Sequence, residues 1–367
     1  MKLERHSCAP RPYWQERVEV LGMNYHTIDG STYWNEEACY SLDSELVDKI
    51  DDATQELHDM CLLYVDDAIQ TGNYDGYGFS NDTIEMIDKS WKLGHSNIYG
   101  RFDLGINRAG DLKMFEYNAD TPTSLLEASV IQWNWKEDMY PAYDQFNSIH
   151  EKLVSLFKIM NIPHMHFTTM SDAPHEDWGN LHYLLSCHSE AGGKSSSINL
   201  EQIGWDSISN QFVDLNNDPI RFLFKLYPWE WMIGDEFYQN ILKSNTFFFE
   251  PAWKMLLSNK LLCVKLWERH QNHPLLLESY EAEANVNMPG RSWVAKPKLG
   301  REGQGVIGGP SMDSNNSNQE FFRVVSFNGI QPVIGSWVIG NKSAGIGFRE
   351  DVGITTNNSK FVPHYFE

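Results

Sequence analysis

The strings RFD at residues 101–103 and EYNAD at residues 116–120 decide how this chain is interpreted. Residues 99–106 alternate in the manner of a β-strand, residues 107–110 are typical of a turn, and residues 112–118 are typical of a partner strand. The pattern therefore predicts a β-hairpin that carries both polar strings.

Polar side chains of the two strands are expected to meet on one face of this hairpin. Arg101 and Asp103 share a face of the first strand, because successive side chains point to opposite sides. Glu116, Asn118 and Asp120 share a face of the second strand for the same reason. Carboxylate and amide oxygens suit a hard cation such as Mg²⁺, whose shell phosphate oxygens usually complete. The cluster indicates a nucleotide site, and the alternative is a solvated edge hairpin with ordinary surface charges.

A helix start is predicted directly after this cluster. Thr121 is a suitable N-cap, Pro122 suits the first helical position, and apolar residues follow at near-helical spacing through Trp133. The unsatisfied N–H groups of a first helical turn lie at the positive end of the helix dipole and bind anions. We expect a substrate carboxylate here; the alternative is an ordinary capped helix that binds nothing.

A glycine-rich segment follows much later in the chain. Residues 292–297 (SWVAKP) are typical of a strand that ends near Lys296, and residues 298–306 (KLGREGQGV) follow it. Glycines let backbone N–H groups approach a polyphosphate, and a lysine neutralises its charge, so a mobile lid over nucleotide phosphates is predicted. The chain has no P-loop, because His188 occupies the first-glycine position before the string GKS at 193–195, and no G-x-G-x-x-G opens a helix.

Hydrophobic periodicity predicts one interwoven α/β unit. Residues 45–69 form one predicted amphipathic helix with Ser44 as its N-cap, and residues 139–160 form another. Residues 310–318 are rich in Ser and Asn and are predicted to form an exposed loop. The predicted later strands are residues 221–225, 293–296, 321–326, 333–339 and 344–349, the last two paired over residues 340–341.

Charge and cysteine content limit the possible partners. The 367 residues carry a formal net charge of −21, which would repel a phosphate backbone and argues against DNA or RNA binding. The five cysteines are far apart in sequence without C-x-x-C spacing, which indicates free thiols in a reducing compartment. Residues 1–6 lead into polar sequence without a signal core, and no apolar run reaches membrane-spanning length. We expect a cytoplasmic protein without a membrane partner.

Histidines and aromatic residues form further clusters that suggest other sites. Histidines are frequent in residues 164–188 and recur at His270 and His273. Neither an H-E-x-x-H motif nor cysteines at zinc-finger spacing accompany them, so surface or core positions are favoured over a zinc site. The string YPWEW at residues 227–231 is expected to pack in the core rather than to bind a cofactor.

Several blocks of sequence resemble one enzyme family. From about Arg11 to the C-terminus, the chain is similar to the synthetase domain of glutathionylspermidine synthase and trypanothione synthetase, and especially to single-domain acid–amine ligases related to it. Several blocks in family order are more specific than any single block. The blocks are RFDLGIN, MFEYNADTPTSLLEA, KLYPWEWM, FFFEPAWKMLLSNK, HPLLLESY, WVAKPKLGREGQGV, PVIGSWVIG and AGIGFRED.

The resemblance implies a fold and cofactors. The implied fold is an ATP-grasp fold of the α/β (α+β) class, with one synthetase domain over residues 1–367 and a mobile glycine-rich lid at about residues 255–330. Bifunctional relatives carry an additional cysteine amidase domain, which this chain is expected to lack. The implied cofactors are ATP and Mg²⁺, with two ions.

The resemblance also implies roles for individual residues. Asp103, Glu116 and Asn118 match magnesium ligands, with Glu116 bridging two ions. Arg101 and Arg349 match catalytic arginines that contact the transferred phosphate and stabilise the phosphorylated intermediate. The implied ATP-binding residues are Arg101, Lys260, Lys296, Gly303, Gln304 and Gly305. The implied substrate-binding residues are Thr121 and Thr123 for the acid, Glu176 and Asp177 for a polyamine, and Lys225 in a segment near the substrates.

The implied activity is an ATP-dependent ligation of a carboxylate to an amine. Such an enzyme forms an amide through an acylphosphate and releases ADP and phosphate, and a glutathione-like peptide acid and a polyamine are the first candidate substrates. Positioning and electrostatic stabilisation by Mg²⁺, Lys and Arg supply most of the catalysis in such a phosphoryl transfer. The alternatives are a ligase that acts on a protein or peptide terminus and a non-catalytic nucleotide-binding regulator, which the complete set of charged residues argues against.

Overall fold

The computed structural model describes residues 2–236, 238–282, 292–300, 303–356 and 359–367, which form a mixed α/β structure with several sheets. Its strands are β1 (Leu3–Ser7), β2 (Thr27–Ile28), β3 (Ser31–Thr32), β4 (Ala38–Leu42), β5 (Tyr99–Ile106), β6 (Leu112–Asn118), β7 (His164–Thr169), β8 (Lys194–Asn199), β9 (Gly204–Asp206), β10 (Gln211–Val213), β11 (Phe222–Lys225), β12 (Phe247–Phe249), β13 (Ser279–Glu281), β14 (Trp293–Pro297), β15 (Ile307–Gly308), β16 (Asn316–Glu320), β17 (Gln331–Ile339), β18 (Lys342–Asp351), β19 (Lys360–Val362) and β20 (His364–Phe366). Its α-helices are α1 (Trp14–Val20), α2 (Ser44–Thr71), α3 (Asn81–Lys92), α4 (Gln132–Met139), α5 (Ile149–Met160), α6 (His175–Glu190), α7 (Trp229–Met232), α8 (Tyr238–Ile241), α9 (Met255–Ser258) and α10 (Leu261–Arg269). A π-helical segment spans Glu127–Ile131, and 3₁₀ turns span Leu200–Gln202 and Ala252–Lys254.

The two polar strings lie in an antiparallel sheet with the strand order β19-β18-β17-β5-β6. Strands β5 and β6 form the predicted hairpin with the predicted bounds, and β17 and β18 form the second predicted hairpin. In the β5–β6 register, Arg101 lies opposite Asn118 and Asp103 lies opposite Glu116. The register then shifts, so that Phe115 has no opposite residue in β5. Such a β-bulge frees a backbone group from the ladder and bends the strand.

Helix α2 covers one face of this sheet. Its buried residues recur at helical spacing and belong to the same hydrophobic cluster as Phe102 and Ile334 of the sheet. The Thr54 hydroxyl also lies 2.7 Å from the Ser336 hydroxyl in β17. The helix was predicted over residues 45–69 with Ser44 as its cap. The cap is instead Asp43, whose carboxylate accepts the Leu46 N–H at 2.9 Å, as acidic N-caps do.

A buried ion pair fixes the start of β5. The Glu250 carboxylate accepts the backbone N–H groups of Ile98 and Tyr99, and the Lys254 ammonium lies 2.5 Å from that carboxylate and donates to the Tyr99 carbonyl. Both charged side chains are fully buried, so their mutual pairing and these backbone bonds offset the cost of removing two charges from water. The strand that carries Arg101 and Asp103 therefore begins at a rigid position.

A parallel sheet with the order β12-β11-β7-β8 contributes residues to the same cavity as the hairpin, which is described below. Helix α6 connects β7 to β8, as expected for parallel neighbours. In open α/β sheets, ligands bind beyond the carboxyl ends of the strands. Thr169 and Leu226, at the carboxyl ends of β7 and β11, line this cavity.

A smaller sheet with the order β13-β16-β14-β15 lies within the predicted lid region at 255–330 and carries Lys296. It contacts the hairpin at the bulge, because the freed Phe115 carbonyl accepts bonds from Lys296 Nζ at 3.2 Å and Gln319 Nε2 at 3.3 Å. Residues 283–291 and 301–302 of the predicted lid lie outside the described residues.

Three predicted elements away from Thr121 differ from the structure in extent or in type. The helix predicted over 139–160 begins only at Ile149, where α5 starts, because α4 ends at Met139 and residues 140–148 are not helical. Residues 321–326 are not a strand, since pairing with β14 ends at Glu320. The exposed loop predicted over 310–318 extends only to residue 315, because β16 begins at Asn316 and the Asn318 side chain is buried with hydrogen bonds to the Ser311 backbone.

The cysteines are free thiols, but two of them are not far apart in the fold. Cys8 and Cys39 lie with their sulfur atoms 2.9 Å apart, although 31 positions separate them in sequence. Among the described residues, no helix combines the length and the apolar character needed to cross a membrane.

Candidate active site

A cavity of about 1170 Å³ opens between the hairpin sheet, the carboxyl ends of the parallel sheet and the smaller sheet. It brings together most of the residues that the sequence singles out, although they come from distant parts of the chain. Lys225 and Gly305 are not among its lining residues. The predicted site residues that line it are Arg101, Asp103, Glu116, Asn118, Thr121, Thr123, Glu176, Asp177, Lys260, Lys296, Gly303, Gln304 and Arg349.

Asp103 holds two arginines at the wall of the cavity. Arg101 Nε donates to one oxygen of Asp103 at 2.8 Å, and Arg349 Nη2, from β18, donates to the other at 2.8 Å. Burial works against the charge of Arg101, but Asp103 outweighs it and raises the pKa of the guanidinium. Arg101 also donates to the Thr123 carbonyl at 2.6 Å and lies over the ring of Trp337. Both guanidinium groups are therefore fixed before any ligand binds.

Glu116 lies next to two lysines. Lys260 Nζ is 3.2 Å from Glu116 Oε2, and Asn118 Nδ2 donates to Glu116 Oε1 at 3.3 Å. Burial opposes the ionisation of Glu116, but the charges of Lys260 and Lys296 outweigh it and lower the pKa to about 2. Burial in turn lowers the pKa of Lys296, which Glu116 partly restores. Glu116 is thus ionised at neutral pH and faces a cationic wall.

The chemistry of the hairpin face fits a magnesium ion. It presents two carboxylates and one amide oxygen, which are hard ligands of the kind that Mg²⁺ takes beside waters and phosphate. Each carboxylate oxygen can accept more than one bond, so the arginine contacts of Asp103 leave it some acceptor capacity. Within the described part of the chain, no three His, Cys, Asp or Glu side chains form a ready-made metal site. The protein alone therefore offers an incomplete shell that phosphate and water would have to complete.

The predicted helix start at Thr121 is wrong. Residues 122–124 are not helical, and the first helical residue is Leu125, whose N–H donates to Asn180 Oδ1 at 2.7 Å. Ser124 has a positive φ of 69°, which a right-handed helix does not contain. The Thr123 carbonyl accepts a hydrogen bond from Arg101 of the hairpin. Thr121 and Thr123 still line the cavity, but they belong to a non-helical segment that precedes the helix.

The glycine-rich segment closes one side of the cavity. Gly300, Gly303 and Gln304 line it, and Lys260 donates to the Gly300 carbonyl. Gly303 has a φ of +71°, and a Cβ there would lie 2.7 Å from the Thr355 carbonyl. Glycine therefore permits this segment to pack against the loop at 353–355, which also lines the cavity. The motif residues 301–302 lie outside the described part.

The first turn of α6 contributes acidic residues to the lining of the cavity. Glu176 and Asp177 occupy this turn, and Glu230 of α7 lines the same cavity. These carboxylates come from the parallel sheet and its helices, whereas the lysines come from the smaller sheet and the start of α10. The cavity therefore has acidic and cationic lining groups contributed by different parts of the fold.

Lys225 occupies a different environment from the one expected for a substrate contact. Its ammonium donates to Asp120 at 2.7 Å and to the Tyr227 carbonyl at 2.9 Å, and it lies over the Trp229 ring. The other Asp120 oxygen accepts the Trp229 N–H at 2.8 Å. The lysine side chain is completely buried, and its bond to Asp120 joins the segment after β6 to β11 of the parallel sheet beside the cavity, which Asp120 and Tyr227 line.

Tyr25 and Tyr33 lie at or near the cavity, but no sequence pattern identifies either of them as a site residue. Tyr25 lines the cavity, and the Tyr33 hydroxyl donates to the buried Glu127 at 2.9 Å. Burial and the nearby charge of Glu176 raise the pKa of Glu127 to about 8. Alternation and turn chemistry are local patterns, whereas the Tyr33 hydroxyl contacts Ser124 and Glu127, which lie 91 and 94 positions further along the chain. Only the block containing Glu127 points to this region.

Comparisons with known proteins cover nearly the whole chain. A curated protein of Haemophilus influenzae named "Putative acid--amine ligase" is 42% identical over 97% of each chain. Trypanothione synthetase of Crithidia fasciculata is 24% identical over 93% of this chain and 56% of its own length. The bifunctional glutathionylspermidine synthetase/amidase of Escherichia coli is 24% identical over 73% of this chain and 47% of its own length. This chain therefore spans about half the length of the two larger relatives.

The fold and the family agree. A glutathione synthetase-like effector structure from Globodera pallida superposes with a TM-score of 0.59 over 99% of this chain and all of the other, at 13% identity. At this identity, the likeness establishes the fold and not the function. The family model described as "Glutathionylspermidine synthase preATP-grasp" matches residues 5–367. The chain therefore belongs to the glutathionylspermidine synthase preATP-grasp family.

Proposed function

We propose that this protein is an ATP-grasp ligase that joins a carboxylate to an amine through an acylphosphate, with release of ADP and phosphate. One observation carries the proposal: the carboxylates of Asp103 and Glu116 share one cavity with Lys260 and Lys296. The identity of 42% over nearly the whole of both chains to the protein named "Putative acid--amine ligase" supports the same reaction class. The cavity is slightly larger than the usual 300–1,000 Å³ of a small-molecule site, which suits ATP together with two substrates.

Asp103, Glu116 and Asn118 would hold the magnesium ions of this reaction. The ions would neutralise charge on the phosphate oxygens and orient them. Glu116 can serve in this role because the lysines keep its carboxyl ionised well below neutral pH. Its present contact with Lys260 places that cation within reach of any phosphate bound at the same face.

The basic residues would stabilise the transferred phosphoryl group. Lys260 and Lys296 would bind ATP phosphates, and the backbone at Gly303 and Gln304 would cover them. Arg101 and Arg349 are held by Asp103, so their positive charges are in place before negative charge develops on the phosphoryl oxygens. Positioned charges of this kind lower the barrier without the cost of reorganising solvent.

The acid and the amine would bind toward the parallel sheet. Thr121 and Thr123 offer hydroxyl and backbone groups beside Arg101 for the acid. Glu176 and Asp177 line the same cavity and would attract a cationic amine. A glutathione-like peptide acid and a polyamine fit these charges, and the names of two relatives contain glutathionylspermidine and trypanothione.

The test compares ADP release by the wild type and by Glu116→Gln. With ATP, Mg²⁺, glutathione and spermidine, and then with a panel of other peptide acids and amines, the wild type should release ADP only when both an acid and an amine are present. Glu116→Gln keeps the size of the side chain but removes the charge that faces Lys260, and should lower turnover by about 10²-fold or more.

Asp111→Asn is the matched control for that test. Asp111 follows the turn of the same hairpin and is exposed outside the cavity, so its substitution should leave turnover near the wild-type level. Wild-type-like turnover in Glu116→Gln, with a normal melting temperature, would contradict the assignment of this carboxylate.

A further inference from the structure

Two cysteines meet at a separate sheet with the strand order β1-β4-β20. Cys39 lies in β4 opposite His6 of β1, and Cys8 follows the end of β1 with its N–H bonded to the Glu37 carbonyl at 2.9 Å. His6 and Cys8 project to the same side, because alternate residues share a face of an extended chain. Cys39 lies opposite His6, so Cys8 and Cys39 also project to the same side. Their sulfur atoms are 2.9 Å apart, and neither residue lines the cavity.

The surroundings make these two thiols unequal. Cys39 is fully buried, whereas Cys8 is partly exposed. The Tyr140 hydroxyl lies 3.8 Å from the Cys8 sulfur and 3.7 Å from the Cys39 sulfur. The hydrogen bond with Cys39 lowers the pKa of Cys8, against the effect of burial, and Tyr140 and Arg5 add to the lowering. Cys8 is thus both the accessible thiol and the better nucleophile of the pair.

We propose that Cys8 and Cys39 form a redox-active pair that a low-molecular-weight disulfide oxidises to an intramolecular disulfide. In the first step, the Cys8 thiolate attacks one sulfur of the oxidant, and the oxidant's S–S bond breaks to release one thiol. In the second step, Cys39 loses its proton and attacks the Cys8 sulfur of this mixed disulfide, which releases the second thiol. The protein loses two electrons and two protons, and the oxidant is reduced to two thiols.

The strand geometry favours this outcome over a lasting mixed disulfide. An S–S bond is about 2.05 Å long, so the sulfurs need to approach by less than about 1 Å from their present separation. The pairing of β4 with β1 holds Cys39, and the bond from the Cys8 N–H to the Glu37 carbonyl holds Cys8 beside it, so closing the ring orders little additional chain. The remaining cysteines, Cys61, Cys187 and Cys263, are buried apart from this pair.

The experiment treats the reduced, full-length protein with 2-hydroxyethyl disulfide at neutral pH and then quenches free thiols with an alkylating agent. This probe is uncharged and resembles neither proposed substrate, so the result is independent of the proposed function. Peptide mass analysis should recover Cys8 linked to Cys39. Thiol titration after unfolding should count two fewer thiols than the five of the reduced chain.

Single-cysteine variants separate the two roles. Cys39→Ser should retain the probe on Cys8 as a stable mixed disulfide, Cys8→Ser should lose nearly all modification, and Cys187→Ser should form the cross-link as the wild type does. Failure to recover the Cys8–Cys39 peptide from folded wild type, or equal modification in Cys8→Ser, would overturn the proposal. Circular dichroism of each variant shows whether its fold is retained, and the wild-type result decides the question even if one variant is unstable.

Discussion

At the scale of single residues, Asp103 accepts hydrogen bonds from guanidinium groups of two different strands, one from Arg101 and one from Arg349. Two such cations would repel one another, and the carboxylate between them offsets the repulsion. The result is a pair of positive charges that stay fixed at the cavity wall without a ligand. Preorganised charge of this kind favours a transition state in which negative charge spreads over phosphoryl oxygens.

The substitution Arg349→Lys tests whether the planar guanidinium group of this arginine takes part in the chemical step. Lysine keeps the positive charge but cannot reproduce the planar donor geometry, so kcat should fall by about 10²-fold. The dissociation constant for ATP should change little, because Lys260 and Lys296 remain in place. Steady-state ADP release and calorimetric titration of ATP measure the two quantities.

Arg108→Lys is the control for that variant. Arg108 is exposed in the turn between β5 and β6, so its substitution should leave both quantities unchanged. An Arg349→Lys variant that loses ATP binding and turnover by the same factor would assign this arginine to binding instead.

Sequence predicts the part of this cluster that depends on local rules. Alternation along two strands joined by a short turn suffices to place Arg101, Asp103, Glu116 and Asn118 on one face. The contact between Asp103 and Arg349 joins residues 246 positions apart, and no periodic pattern reports it. Only the resemblance to a family assigned Arg349 to the site.

At the scale of elements, the errors occur where tertiary contacts override local propensity. Thr121-Pro122 is a good helix start by composition, but the Arg101 bond to Thr123 and the positive φ of Ser124 delay the helix to Leu125. The bulge at Phe115 likewise depends on the neighbouring sheet, which supplies Lys296 as the partner of its carbonyl. Both departures lie at the cavity, where the segments around it determine the geometry.

Substitution of Lys225 shows whether this residue binds substrate or stabilises the contact between two elements of the fold. Lys225→Met leaves the buried Asp120 carboxylate without its cation, and should lower the free energy of unfolding by about 3–5 kcal/mol. The double variant Asp120→Asn with Lys225→Met should recover part of this loss, because no unpaired charge remains. Urea denaturation of the three proteins measures the effect.

A purely functional role for Lys225 predicts the opposite pattern. In that case Lys225→Met would keep the wild-type stability and raise the KM for one substrate. Thr27→Met is a useful control for added hydrophobic bulk, since Thr27 lies at the cavity but is exposed. It should leave the stability near the wild-type value.

At the scale of the whole molecule, buried ionisable groups couple stability to pH. Glu127 is fully buried, and its pKa is raised to about 8 from an ordinary value of 4.5. Between these values the folded protein holds a proton that the unfolded chain releases. The stabilisation from this proton is complete below the lower value and is lost as the pH rises through the upper one.

Glu127→Gln should therefore change the pH profile of stability in a defined direction. Glutamine does not titrate, so the free energy of unfolding of the variant relative to wild type should rise with pH, by roughly 1 kcal/mol per unit between about pH 5 and about pH 8. Urea denaturation at several pH values measures this difference. The conservative Asp48→Asn substitution on the exposed side of α2 should give a difference that does not depend on pH. A flat profile for Glu127→Gln would show that Glu127 is ionised in the folded protein.

The chain as a whole combines features that sequence could predict with features that it could not. The family, the hairpins and the gathering of distant charges in one cavity agree with expectation. The cysteine pair and the buried position of Lys225 were not predicted. Both depend on contacts between residues distant in sequence, which neither the net charge of −21 nor the spacing of the residue types reveals.

The most direct test of the proposed activity follows an oxygen atom. An acid substrate whose carboxylate is labelled with heavy oxygen is incubated with the enzyme, ATP, Mg²⁺ and the amine, and the released phosphate is analysed by mass spectrometry. An acylphosphate route transfers one carboxylate oxygen to phosphate, so we predict labelled phosphate in equal amount to the amide product. Amide formed together with unlabelled phosphate would contradict the account.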